Sequence, residues 1–180
     1  MTTLIQIFAL PRSGTAFVAT MLNLNPRCMA FHELHEKADQ SRQIIERMMK
    51  VYKYVGDVNT HGWLMKDQMD SDIRIVIRRD TSQSINAVVR RMNVVLDENI
   101  YRAHADKLDQ WAINERAMVV NYENLFNLDT LRDIWNHCFD DSEQFPVNKV
   151  DMLLSLNIQM QNTDNIKSEQ YINRLKNDMQ

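Results

Sequence analysis

The chain has 180 residues and a mass of 21.3 kDa, with 44% hydrophobic and 25% charged residues, proportions of one ordinary globular domain over residues 1–180 and not of a disordered or fibrous chain. The formal net charge of −3 argues against the coating of a nucleic-acid backbone, so no nucleic-acid partner is expected. The charge is uneven: residues 1–91 hold 13 basic and 9 acidic side chains, 13 − 9 = +4, and residues 92–180 hold 8 and 15, 8 − 15 = −7, so an anionic ligand is sought in the first half.

In chain order, Leu4 to Leu10 is an apolar run rich in β-formers that ends at Pro11 and reads as a buried strand. Thr15 to Leu24 has helical composition, so a Pro-Arg-Ser-Gly turn joins strand to helix. From Lys37 to Tyr54, Ile44, Ile45, Met48, Met49 and Tyr52 recur at helical spacing and predict an amphipathic helix. Gly62 to Asp67 and Asp72 to Asp80 read as two more strands, the second alternating Ile73, Ile75 and Ile77 with charged or smaller residues. Thr81 or Ser82 caps a helix running towards Leu96, and another helix covers Ile100 to Asn114. Ala117 to Tyr122 is a fourth strand; helices follow over Leu125 to Phe139 and, past Pro146, in two amphipathic stretches ending near Met179.

Strands alternating with helices predict an α/β protein: a three-layer parallel sheet with helices on both faces and a helical C-terminal part. In such sheets ligands bind at the carboxyl ends of strands. Cys28 and Cys138 are too few for a disulfide framework or a metal knuckle. No signal peptide and no membrane-length apolar run is present, so a cytoplasmic protein without a membrane partner is expected.

The first turn carries the chemistry. Around Ser13, Gly14 and Thr15 it offers backbone N–H groups, two hydroxyls and the Arg12 guanidinium at a helix N-terminus, a combination suited to phosphate. A kinase or GTPase loop of the form G-x-x-x-x-G-K-S/T needs a first Gly and a Lys that are absent here. The plain alternative is a capped turn with Arg12 in solvent.

Pro11-Arg12-Ser13-Gly14-Thr15 resembles the 5′-phosphosulfate loop of sulfotransferases that use 3′-phosphoadenosine 5′-phosphosulfate (PAPS). The run Ile75 to Arg91 is similar to that family's 3′-phosphate motif, with Arg79 in the register of the 3′-phosphate ligand; Thr81 replaces the usual Pro, Ala87 stands where Ser is expected, and Ser84 lies one helical turn earlier. Gly62 to Asp67 and Val119 to Leu125 look like further landmarks of the family, and no Gly follows Gly62 to match its Gly-rich region. The resemblance covers residues 3–130. It implies a P-loop NTPase-like fold, transfer of a sulfo group from PAPS to a hydroxyl or amine of a small acceptor, and a PAPS site at Arg12, Ser13, Gly14, Thr15, Ala16, Arg79 and Ser84 without a metal.

For the base, the resemblance points just past the first helix, to Phe31-His32-Glu33-Leu34-His35-Glu36. Glu33 stands first by position, with His35 or His32 next; His titrates near neutrality, whereas a Glu base needs a raised pKa or close contact with the acceptor. The implied catalytic set is Arg12 with Glu33 and His35. The spacing H-E-x-H falls one residue short of the zinc helix H-E-x-x-H, so no metal is expected. Structural readings stand beside these: His32 and Glu33 as satisfied loop residues, Arg78 and Arg79 in surface ion pairs with Asp72 or Asp80, Arg90 and Arg91 on a solvated helix face, and Trp63, Trp111 and Trp135 as core aromatics, Trp63 also fitting a pocket border. A P-loop-like phosphotransferase or hydrolase, or a non-catalytic nucleotide-binding module, is the alternative function.

Overall fold

A computed structural model describes residues 2–34, 38–60 and 69–156. Five strands, β1 (Thr3–Ala9), β2 (Cys28–His32), β3 (Tyr54–Asn59), β4 (Ile73–Arg78) and β5 (Met118–Asn121), form one all-parallel sheet in the order β2-β3-β1-β4-β5. The helices are α1 (Thr15–Leu22), α2 (Ala38–Met48), α3 (Thr81–Met92), α4 (Glu98–Asn114), α5 (Leu128–Cys138) and α6 (Val147–Ser155), with a 3₁₀ turn over Tyr122–Asn124. Among the described residues no helix is long and apolar enough to cross a membrane.

Side chains alternate across the sheet and sort the core into two layers. Ile5, Ile7 and Ala9 of β1, with Ile75 and Ile77 of β4, share a cluster with α1, α5 and α6 through Phe17, Met21, Leu131, Ile134, Trp135 and Val150. On the other face Leu4 joins Met29, Phe31 and Val55 under Ile45 and Met48 of α2, while Phe8 and Val76 meet Leu108 and Ala112 of α4. Helices thus cover both faces. Trp135 lies in the first layer and Trp111 rests against Phe8 at 4.9 Å between ring centroids, so both are core aromatics.

Several boundaries depart from the sequence reading, and two strands are additional. The helix expected over residues 37–54 ends at Met48, and Tyr54–Asn59 pairs with β1 as a strand. Gly56, Asp57 and Asn59 are residue types that strands usually avoid, which hid β3. At Gly56 an added Cβ would come within 2.8 Å of the Ala30 side chain, so the strand needs glycine where it packs against β2. β2 itself is only five residues long and follows Pro26 closely. The helix after β4 is capped by Asp80, the first residue of the Asp80-Thr81-Ser82 run that also reads as a cap, and its carboxylate accepts from the Gln83 N–H at 2.9 Å; the helix stops at Met92, where Asn93 turns left-handed. α1 ends at Leu22, α4 begins at Glu98 behind an Asp97 cap, and α5 begins at Leu128 behind an Asn127 cap. The expected strand at Gly62 to Asp67, Trp63 within it, and the stretch beyond residue 156 lie outside the described residues.

Candidate functional site

The loop Leu10–Gly14 leaves the carboxyl end of β1, the central strand, and enters α1. Two of its residues have left-handed backbones, Arg12 at φ 66° and Gly14 at φ 80°. Only glycine takes that conformation without strain, and the non-glycine case at Arg12 is stored strain of a kind that gathers at ligand sites. Gly14 is fixed a second way: an added Cβ would lie 2.5 Å from Leu125 Cδ2, and Leu125 is fully buried. Gly14→Ala is therefore expected to lower the unfolding free energy by about 2 to 4 kcal/mol, overpacking and left-handed strain combined. Chemical denaturation measures it, and a loss within error of zero would mean that the loop sits elsewhere.

Gly14 is the N-cap of α1 and supplies no side-chain cap. The first-turn amides of α1 therefore have neither intrahelical acceptors nor a capping oxygen. Ser13 is fully buried, and its Oγ has no hydrogen-bond partner among the described residues. A buried hydroxyl without a partner is costly and rare in native structures. Thr15 Oγ1 lies 3.0 Å from His32 Nε2, which joins the start of α1 to the end of β2. The Arg12 guanidinium is half-buried and makes no hydrogen bond or ion pair among the described residues. Ala16 follows in the first turn, partly exposed.

The end of β4 braces this loop. Arg79 donates from Nη1 to the Arg12 carbonyl, and its guanidinium carbon stands 4.1 Å from the centre of the Tyr122 ring. Its Nε is buried and has no hydrogen-bond partner among the described residues. Ser84, fully buried on α3, donates to the Pro11 carbonyl at 2.6 Å and lies 2.8 Å from Tyr101 Oη of α4. Burial raises the Tyr101 pKa, opposed by the Ser84 hydrogen bond and by the charge of Arg79. Arg79 and Ser84 thus stand together beside the loop, each spending one bond on a loop carbonyl. Arg78 points to α4 and pairs with Asp109 at 2.9 Å, not with Asp72 or Asp80. Asp72 instead accepts from the Leu4 N–H at 2.8 Å at the opposite end of the sheet.

At the ends of β2 and β3, Glu33 has a left-handed backbone, φ 53°, and donates its N–H to the Val58 carbonyl. Its Oε1 accepts from the Thr60 N–H at 3.1 Å and the Thr60 hydroxyl at 2.8 Å, and lies 3.8 Å from His32 Nε2. His32 and Glu33 therefore meet the loop through Thr15, while His35 lies outside the described residues. Among the described residues no group of three His, Cys, Asp or Glu side chains is placed to hold a metal ion.

Tyr101, Thr60 and Asp57 were not legible as site residues. Asp57 is 8% exposed, and its pKa is pushed up to about 6 by burial, with Asn59's hydrogen bond opposing and the charge of Glu33 adding. The one signal for it was an aspartate between Gly56 and Val58, past the helix expected over residues 37–54 and in a stretch to which the sequence assigned no element. No protein-family model matches the sequence, and a search of the curated proteins found no match.

Proposed function

We propose that the protein binds PAPS across the loop at residues 11–15 and the Arg79 strand end, and transfers its sulfo group to a hydroxyl or amine of a small acceptor. One observation carries this reading: a buried hydroxyl, Ser13 Oγ, with no partner among the described residues, in a loop whose glycine leaves no room for a Cβ and whose Arg12 guanidinium bonds to none of those residues. The donor set suits the ligand: backbone N–H groups, hydroxyls and two guanidinium groups all match phosphate and sulfate oxygens, which only accept.

When bound, the donor supplies an activated sulfo group, and transfer forms a bond from sulfur to the acceptor oxygen or nitrogen as the bond from sulfur to the 5′-phosphate oxygen breaks. Arg12, with the amides at the start of α1, stabilises charge on the departing phosphate, and Ser13 and Thr15 donate hydroxyl hydrogens to it. Each preorganised donor of this kind is worth about 3 kcal/mol of barrier. Glu33 takes the acceptor proton; its Oε1 is already oriented by two Thr60 bonds, and its second oxygen carries none among the described residues. His32, bridged to Thr15, holds the two halves of the site in register. Arg79 takes the ribose 3′-phosphate, and Ser84 keeps the loop carbonyl in place.

Calorimetric titration with adenosine 3′,5′-bisphosphate tests this. A dissociation constant of about micromolar is expected, weakened roughly ten- to a hundredfold in Arg12→Ala and in Arg79→Ala, as loss of a charged hydrogen-bond donor implies. Magnesium-dependent binding of ATP in its place would favour the phosphotransferase or hydrolase reading. Bisphosphate binding without donor turnover would favour a non-catalytic nucleotide module, and no binding removes the donor site.

A further inference from the structure

On the sheet face beneath α2 and α4 the polar side chains of β1 and β3 fall along one line, with Arg74 of β4 in register beside Gln6 and held by Asp70 and Glu115. On β1, Leu4 and Phe8 belong to separate apolar clusters, and Gln6 stands between them on the same face. On β3, Val55 is followed on that face by Asp57 and Asn59. Gln6 pairs in register with Asp57, and Phe8 with Asn59, so the three polar side chains form a seam from mid-sheet to the carboxyl edge where Glu33 and Thr60 stand.

Gln6, Asp57 and Asn59 are 4%, 8% and 9% exposed. Burial of such groups is costly unless partners answer them. Asp57 accepts one bond, at 2.9 Å from Asn59 Nδ2 to Oδ1, and no other among the described residues; the Gln6 carboxamide beside it makes none. Nothing in the donor chemistry above uses this seam.

We propose that the Gln6–Asp57–Asn59 seam is the acceptor subsite and that the Asp57 carboxylate receives an ammonium group, so that the acceptor is a hydroxyl compound bearing a protonated amine, of the amino-sugar type. The inference rests on the sulfotransferase reading for its reaction, not for its binding. Glu33 is close enough for its charge to disfavour ionisation of Asp57 further at the mouth of the seam. A cation there relieves Asp57. Gln6 offers two N–H donors and a carbonyl, which suit hydroxyl groups on the same ligand. The carboxyl edge of the sheet is then divided by charge: Arg12 and Arg79 attend an anionic donor on the β1 and β4 side, and Glu33 and Asp57 a cationic acceptor on the β2 and β3 side.

The probes are glucosamine, its neutral N-acetyl derivative and glucose, titrated into the full chain with and without saturating adenosine 3′,5′-bisphosphate. Glucosamine is expected to bind about ten- to a hundredfold more tightly than either neutral sugar, the range of one hydrogen bond to a charged group. Asp57→Asn should abolish that preference while its thermal midpoint rises, which separates loss of a ligand group from loss of fold. Equal binding of the three sugars by the wild-type chain, or an ammonium preference that survives in Asp57→Asn, overturns the proposal. Preference for glucosamine in a protein that does not bind the bisphosphate would leave the cation subsite standing and remove the sulfotransferase reading. Bisphosphate binding without the preference would do the reverse.

Discussion

Asp57→Asn is expected to stabilise the folded protein by about 1 to 3 kcal/mol at pH 8 and by about 0.5 kcal/mol or less at pH 4. The sign follows from burial. The Asp57 carboxyl titrates at about 6 in the folded chain against 3.8 in an ordinary setting, so the folded state holds its proton more tightly than the unfolded state does. Below the lower value both states are protonated, and the aspartate carries no electrostatic penalty. As pH rises from 3.8 to about 6 the unfolded chain releases the proton first, folding stability falls, and above that window the penalty is complete. The gap from 3.8 to about 6 corresponds to about 3 kcal/mol at most, and asparagine removes the charge while keeping an oxygen for the Asn59 amide. Urea unfolding of both proteins at intervals from pH 4 to pH 8 measures the difference. Parallel stability curves across that range would mean that Asp57 is not buried as a charge. A residue that lowers stability yet occupies the sheet interior is of the kind retained for ligand contact.

Glu33→Gln carries the second large effect. Release of adenosine 3′,5′-bisphosphate from PAPS in the presence of an amino-sugar acceptor is expected to fall about 10²- to 10⁴-fold, the span of a lost general base. The glutamine carbonyl retains both Thr60 hydrogen bonds, so the backbone around residue 33 keeps its left-handed turn and the thermal midpoint stays close to that of the wild type. The decrease belongs to kcat, with no matching rise in the donor KM, because the proton moves only as the new bond forms. A variant that turns over at the wild-type rate would pass the role to His32, which stands 3.8 Å from the same carboxylate and on the Thr15 hydroxyl.

The sheet and its first loop were legible because their signals are local. Leu4 to Leu10 is a continuous apolar run, Ile73, Ile75 and Ile77 alternate, and Pro-Arg-Ser-Gly-Thr sits between strand and helix, so composition alone placed β1, β4 and α1. β2 and β3 were hidden because their pairing is what makes them strands. Tyr54–Asn59 contains Gly56, Asp57 and Asn59, poor strand formers that owe their conformation to β1 on one side and β2 on the other. For the same reason the acidic side of the site was only half visible. Glu33 could be placed by position, but Asp57 comes near it only through the register of Phe31 with Asp57, which no spacing along the chain encodes. The bracing of the loop was hidden too, since Ser84 and Tyr101 are 17 residues apart and meet across α3 and α4.

The two bonds that reach from the β4 end to the Pro11 and Arg12 carbonyls make the proposed nucleotide cradle a shared structure. A ribose phosphate that draws the Arg79 side chain towards itself does so in competition with the Arg12 carbonyl, and an anion settled on the loop changes what that carbonyl offers in return. Occupancy at either end is thereby felt at the other with equal strength in both directions, as thermodynamic linkage requires. Tyr101, one hydroxyl further out on α4, extends the same chain of contacts to a helix that bears no group of the cradle itself.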